Sequence, residues 1–157
     1  MKSKILKVSL FLVLQLICLF AFVGCGSSTV IDSLKRHNID TKLLSNYEIV
    51  CDIKGETFTG RSPCYGVIIF DSEPTAFLQS FSTEKLDGFS SEKSELLENE
   101  IDAHYSSLKI PKEYCPNWSE DYSWYVSGGI DQMYYADTLF MVYFPNAHKL
   151  IVLEIGH

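Results

Sequence analysis

Apolar residues recur along this chain in three rhythms, and each rhythm predicts a different element. From Val8 to Val23 they run almost unbroken, interrupted only by Ser9 and Gln15. At 16 residues this run is slightly short of the roughly 18 that a spanning helix needs. The second rhythm has period two. Tyr47, Ile49, Cys51 and Ile53 fall on one face of a strand, and Lys54-Gly55 offers a turn into a short returning strand over Glu56–Gly60. Tyr122, Trp124 and Val126 alternate with Asp121, Ser123 and Ser127 until Gly128-Gly129 breaks the run. Cys64–Phe70 is an apolar, β-branched run that predicts a buried strand. Thr138–Phe144 and Leu150–Ile155 are apolar on both faces, which predicts central strands covered on both sides or in a partner contact. Pro145-Asn146-Ala147-His148 is the turn between the last two.

The third rhythm is helical. Leu97, Ile101, Tyr105 and Leu108 follow at intervals of four, four and three, behind a start signal at Ser90-Ser91 and ahead of Pro111. A shorter helix carrying Phe77, Leu78 and Phe81 is expected after a cap at Asp71 or Ser72, with Glu73 and Pro74 in its first turn. Val30–Ser45 is irregular and predicts only one or two helical turns. Strands at both ends with helices between them predict an α+β fold: a mostly antiparallel sheet packed with one long and one short helix, as a single domain over residues 30–157.

The first 25 residues change the picture from a fold to a location. Lys2, Lys4 and Lys7 form a positive head before the apolar run, which is the layout of an export signal. The run ends in Phe22-Val23-Gly24-Cys25, followed by the linker chemistry of Gly26-Ser27-Ser28-Thr29. This arrangement resembles the lipobox of bacterial lipoprotein precursors, with Phe22 standing where that family usually has Leu. The resemblance implies that residues 1–24 are a signal peptide and that the Cys25 thiol receives a diacylglyceryl group before cleavage. Residues 25–29 would then be a lipidated linker, and the location extracytoplasmic at the bacterial cell membrane. Two acyl chains give a stable anchor, at about 0.8 kcal/mol per buried CH₂.

Charge narrows the partners. Removing the signal takes three lysines and no acid, so ten basic residues face 20 acidic ones in the remainder. Such a domain is repelled by phosphate backbones and anionic headgroups, which argues against nucleic acid and leaves membrane contact to the lipid on Cys25. Cysteines Cys51, Cys64 and Cys115 follow the anchor. Export permits disulfides, and Cys51–Cys64, flanking a strand-turn-strand, is the first candidate bridge. Cys64–Cys115 and three free thiols are the alternatives. The four histidines are far apart and no Cys-x-x-Cys occurs, so neither a metal nor another cofactor is expected.

A second resemblance rests on Ile39, Leu43-Leu44, Glu48-Ile49, Asp52, Gly55, Phe58 and Gly60, followed by the late Thr138–Phe144 and Leu150–Glu154 hairpin. This order is similar to small proteins and lipoproteins of Gram-positive bacteria, and the resemblance implies one compact domain and says nothing of mechanism.

No catalytic constellation emerges. There is no Gly-x-Ser-x-Gly nucleophile elbow and no Gly-rich phosphate loop. Cys115 with His104, and the acid pairs Glu98/Asp102 and Glu120/Asp121, are weak candidates beside the reading as packing and solvated faces. More distinctive are ten aromatic residues within the 31 from Tyr114 to Phe144. They serve a sheet core or a half-wet binding surface, and Trp118 and Tyr125 are the candidate ligand-binding residues, expected to be exposed. The reading is a non-catalytic binding or protective module meeting an envelope protein. The alternatives are a carbohydrate or peptidoglycan binder using the aromatic tract, and a cell-envelope hydrolase.

Overall fold

The computed structural model describes residues 28–56, 61–81, 91–129 and 137–156. The export segment with Cys25, residues 57–60 of the expected returning strand, and Tyr134 and Tyr135 lie outside the described residues. Among the described residues no helix is long and apolar enough to cross a membrane.

Five strands form one antiparallel sheet: β1 (Tyr47–Lys54), β2 (Cys64–Phe70), β3 (Ser123–Val126), β4 (Thr138–Phe144) and β5 (Lys149–Ile155). Their spatial order is β1-β2-β5-β4-β3, so the three strands that are apolar on both faces take the three interior places. Burial of both faces is why they could carry no polar alternation. With helices α1 (Thr29–Arg36), α2 (Thr75–Gln79) and α3 (Ser91–Ser107), the architecture is α+β in one domain. Gly128 and Gly129 end β3 at φ of 77° and 83°, a backbone region that favours glycine.

Each face has its own core. Leu97 and Ile101 of α3 cover Tyr65, Trp124, Val126, Phe140, Val142 and Phe144 on one face. On the other, Val30 and Leu34 of α1 and Phe77 of α2 cover Ile68, Phe70, Met141, Tyr143, Leu150 and Val152.

Two expectations are revised. The β1 face is not continuous, because the register shifts between Ile49 and Cys51. Ile49 packs on the α1 face, whereas Cys51 and Ile53 pack on the α3 face, since a bulge re-aims all that follows it. Second, α2 starts at Thr75 with Pro74 at its cap and no side-chain cap bond. The Asp71 amide instead donates to the Asn46 carbonyl at 3.0 Å, tying the chain to the start of β1.

The irregular stretch after Val30, expected to hold one or two helical turns, holds a two-turn helix. Ser28 caps α1 by accepting from the Ile31 amide at 3.3 Å, with Asp32 in the first turn and Lys35 and Arg36 in the last. Two carboxylates from the sheet grip its ends. Asp52 of β1 accepts from the Thr29 and Val30 amides at 3.0 and 3.3 Å and from the Thr29 hydroxyl. Glu154 of β5 takes the other end. Between them Val30 sits over Gly66, where an added Cβ would come within 1.7 Å of Val30 Cγ2.

Candidate functional site

Among the described residues, two openings of ligand size lie on the α1 face. The first, of about 460 Å³, is lined by Thr29, Asp32, Arg36, Lys54, Arg61 and Cys64. Two of these, Arg36 and Arg61, turn inward to Glu154, which is wholly buried. Ser33 Oγ donates to Glu154 Oε2 at 2.7 Å, and Arg36 Nε donates to Oε1 at 3.0 Å while a second guanidinium nitrogen meets Oε2. His37 Nε2 lies 3.3 Å from Oε1, and Arg61 bridges Glu154 at 3.5 Å and Asp137 at 2.7 Å. Burial alone would raise the Glu154 pKa. The bonds from His37, Arg36 and Ser33 outweigh it and hold the carboxyl well below the usual carboxylate range.

That pocket has charge but no poised nucleophile. Burial pushes the Cys64 thiol up despite bonds from Ser33 and Thr29, and pushes Cys51 up to about 11. Cys115 is raised too, by burial and then by Asp102. Thiol chemistry needs the thiolate, so all three sit in the unreactive form near neutrality. All three are also free.

The Cys51–Cys64 bridge expected from the sequence is not formed, for two geometric reasons. Cys51 stands opposite Val67, three positions along from Cys64, which is about 10 Å of strand. A bridge requires Cα atoms within about 7 Å. Cys51 also points to the α3 core and Cys64 to the α1 core. Cys115 packs on the α3 side, so Cys64–Cys115 is separated by the sheet as well.

The weaker pairs read from sequence are used locally. His104 Nδ1 lies 3.0 Å from the Glu100 carbonyl and the Cys115 thiol donates to the Pro111 carbonyl at 3.6 Å, so neither engages the other. Glu98 accepts from the Tyr122 hydroxyl at 2.6 Å, and Asp102 accepts from Trp118 Nε1 at 2.9 Å. The acidic side of α3 therefore orients aromatic rings on its own core. Among the described residues no group of three His, Cys, Asp or Glu side chains could hold a metal ion.

Trp118 and Tyr125 are not brought together. Trp118 is half-buried on the α3 face, where its ring meets Tyr122 and Phe144 at 5.3 and 6.1 Å. Tyr125 is half-buried on the opposite face, 5.3 Å from Phe81 with the two rings tilted by 60°. The exposure expected of Trp118 overlooked its indole N–H, which found a carboxylate two elements away.

The second opening is a groove of about 560 Å³ between α2 and the strand ends. Glu73, Gln79 and Asp121 stand with Leu78, Phe81 and Tyr143 in its lining. Tyr143 is 3% exposed, yet its hydroxyl has no hydrogen-bond partner. Burial raises its pKa, with a further push from the Glu73 charge, so the hydroxyl stays protonated. A buried hydroxyl without a partner forfeits about 1–3 kcal/mol.

Sequence reasoning missed both Glu154 and Tyr143. For Glu154 a signal existed: one carboxylate inside a strand apolar on both faces must be paired. Tyr143 gave none, since an orphaned hydroxyl is a property of the packed state. Compared with known proteins, the chain matches no protein-family model, and no curated protein and no solved structure matches it significantly.

Proposed function

We propose that this chain is the precursor of a lipid-anchored extracytoplasmic lipoprotein whose mature part is a non-catalytic binding module, with the groove at Tyr143 as its ligand face. Lys2, Lys4 and Lys7, the apolar run and Gly24-Cys25 support the location. The ligand face is carried by one observation, that Tyr143, a residue of the groove lining, holds a buried hydroxyl without a hydrogen-bond partner. The charged pocket offers no equivalent, because Glu154, Arg36, His37 and Arg61 satisfy one another.

The geometry suits a tethered binder. Only two residues, Gly26 and Ser27, separate Cys25 from Ser28, where the described fold begins, and the three steps span at most about 11 Å. The anchor therefore meets the sheet at the end where Thr29 binds Asp52 and Glu154 grips α1. Tyr143 pairs with Leu150, four residues along β5 from Glu154, or about 14 Å away. Such an anchor would leave the groove toward the opposite end of the sheet. A saccharide platform has less support, since Trp118 and Tyr125 lie on opposite faces and the Phe81–Tyr125 rings are tilted.

The test has two parts in a bacterial host. Fatty-acid label and membrane association should follow the wild-type protein and be lost in Cys25→Ser; an intact, unlabelled Met1 terminus in the wild type would refute the anchor. A photo-crosslinking residue at Gln79 should capture an envelope component, whereas one at Glu113, outside the groove, should not. Equal capture at both positions would refute the ligand face.

A further inference from the structure

We infer that the groove receives a basic side chain, a lysine or arginine carried on a segment of a protein partner. This rests on the reading of the groove as the ligand face and adds the chemistry of what it holds. Two carboxylates, Glu73 and Asp121, stand on the exposed rim, and among the described residues no Lys, Arg or His stands in the lining. Among the described residues neither carboxylate lies within ion-pair distance of a cation. Elsewhere in the domain buried charge is matched with care, four side chains converging on Glu154 alone.

In the same lining the buried Tyr143 oxygen is an acceptor that nothing in the chain uses. An ammonium or guanidinium is a cluster of donors without an acceptor, so it complements two carboxylates and a phenol oxygen together. Its alkyl stem would lie on Leu78 and Phe81, apolar surface of the kind long basic side chains cover. An anion would be repelled, and a neutral sugar would leave both acids without countercharge while finding tilted rings to stack on.

The groove is open to solvent, which suits an extended segment. The overall acidity of the chain, 20 acidic residues against 13 basic, adds long-range attraction for such a partner.

The experiment is an NMR titration of the isotopically labelled full-length protein in detergent micelles. The probes are three pentapeptide amides with a central Lys, Ala or Glu, and chitotriose as a neutral sugar. The Lys peptide should saturate shifts at Gln79 and Ser123, and the Glu peptide should not. Replacing both Glu73→Gln and Asp121→Asn should weaken the Lys peptide about tenfold or more, and Tyr143→Phe should weaken it several-fold while leaving the spectrum of the free fold intact. Raising salt from about 0.05 to about 0.5 M should weaken it too.

Equal binding of Lys and Ala peptides, or Lys-peptide binding indifferent to the double substitution, overturns the inference. Chitotriose or the Ala peptide binding at Gln79 and Ser123 in place of the Lys peptide overturns the cationic class and leaves the ligand face standing. Silence from every probe, together with no crosslink at Gln79, overturns both.

Discussion

The two faces of the sheet solve the same problem of buried polar atoms in opposite ways. On the α3 face three large rings find partners within the chain: Tyr65 donates to the Tyr114 carbonyl at 2.7 Å, Tyr122 to Glu98 and Trp118 to Asp102. One long helix covers that face, and its carboxylates act as acceptors for the rings beneath. The α1 face is covered by a two-turn and a one-turn helix, and both openings lie there. At one end of it Glu154 is oversupplied with donors; at the other Tyr143 has none. The difference separates architecture from site. A polar group saturated by its own chain holds the fold, and the one left wanting at Tyr143 is where the proposed ligand would complete it.

The sharpest break of this comparison is on the α3 face. Trp124 is 1% exposed at the centre of its core, and Trp124→Ala should cost about 3–5 kcal/mol in a urea melt. Trp118→Ala, losing a half-buried ring and one hydrogen bond, should cost about 1–2 kcal/mol. Equal losses would mean that both rings belong to the same core.

Next in size is Glu154→Gln. Removing one partner of a buried ion pair costs about 3–5 kcal/mol, reduced here to about 2–3 because Arg36 and Arg61 reach solvent. The pH dependence follows from the lowered pKa. The stabilisation is complete above the unfolded glutamate value of about 4.3 and is lost as pH falls through the lower folded value. Wild type should therefore lose stability on acidification below about pH 4, and Glu154→Gln should flatten that limb. Parallel acid limbs for the two proteins would contradict the clamp on α1.

Gly66→Ala tests the same clamp at its middle. The new methyl meets stiff, fully buried Val30 and the Cys51 carbonyl at 3.2 Å, so a loss of about 1–3 kcal/mol in thermal or urea melts is expected. Smallest of all is Tyr143→Phe. Deleting a hydroxyl that bonds to nothing should leave stability within about 0.5 kcal/mol, or raise it slightly. A loss above about 1 kcal/mol would show that the chain does satisfy Tyr143, and would remove the contrast between the faces.

Local pattern carried most of the elements because their causes are local. The helix over Leu97 and Ile101, the alternation at Trp124 and Val126, the buried run of β2 and the doubly apolar β4 and β5 all follow from spacing alone, as does the central place of β4 and β5. The chain itself also sets out the charged head, apolar run and Gly24-Cys25 on which the proposed location rests. What spacing could not decide was anything settled between distant residues. The bulge after Ile49 sent Cys51 away from Cys64, Asp52 and Glu154 gave α1 the docking its own sequence does not announce, and Asp102 drew Trp118 inward. Tyr143 is the extreme case. Whether a hydroxyl finds a partner depends on every group folded around it, and only the packed structure brings those groups to one place.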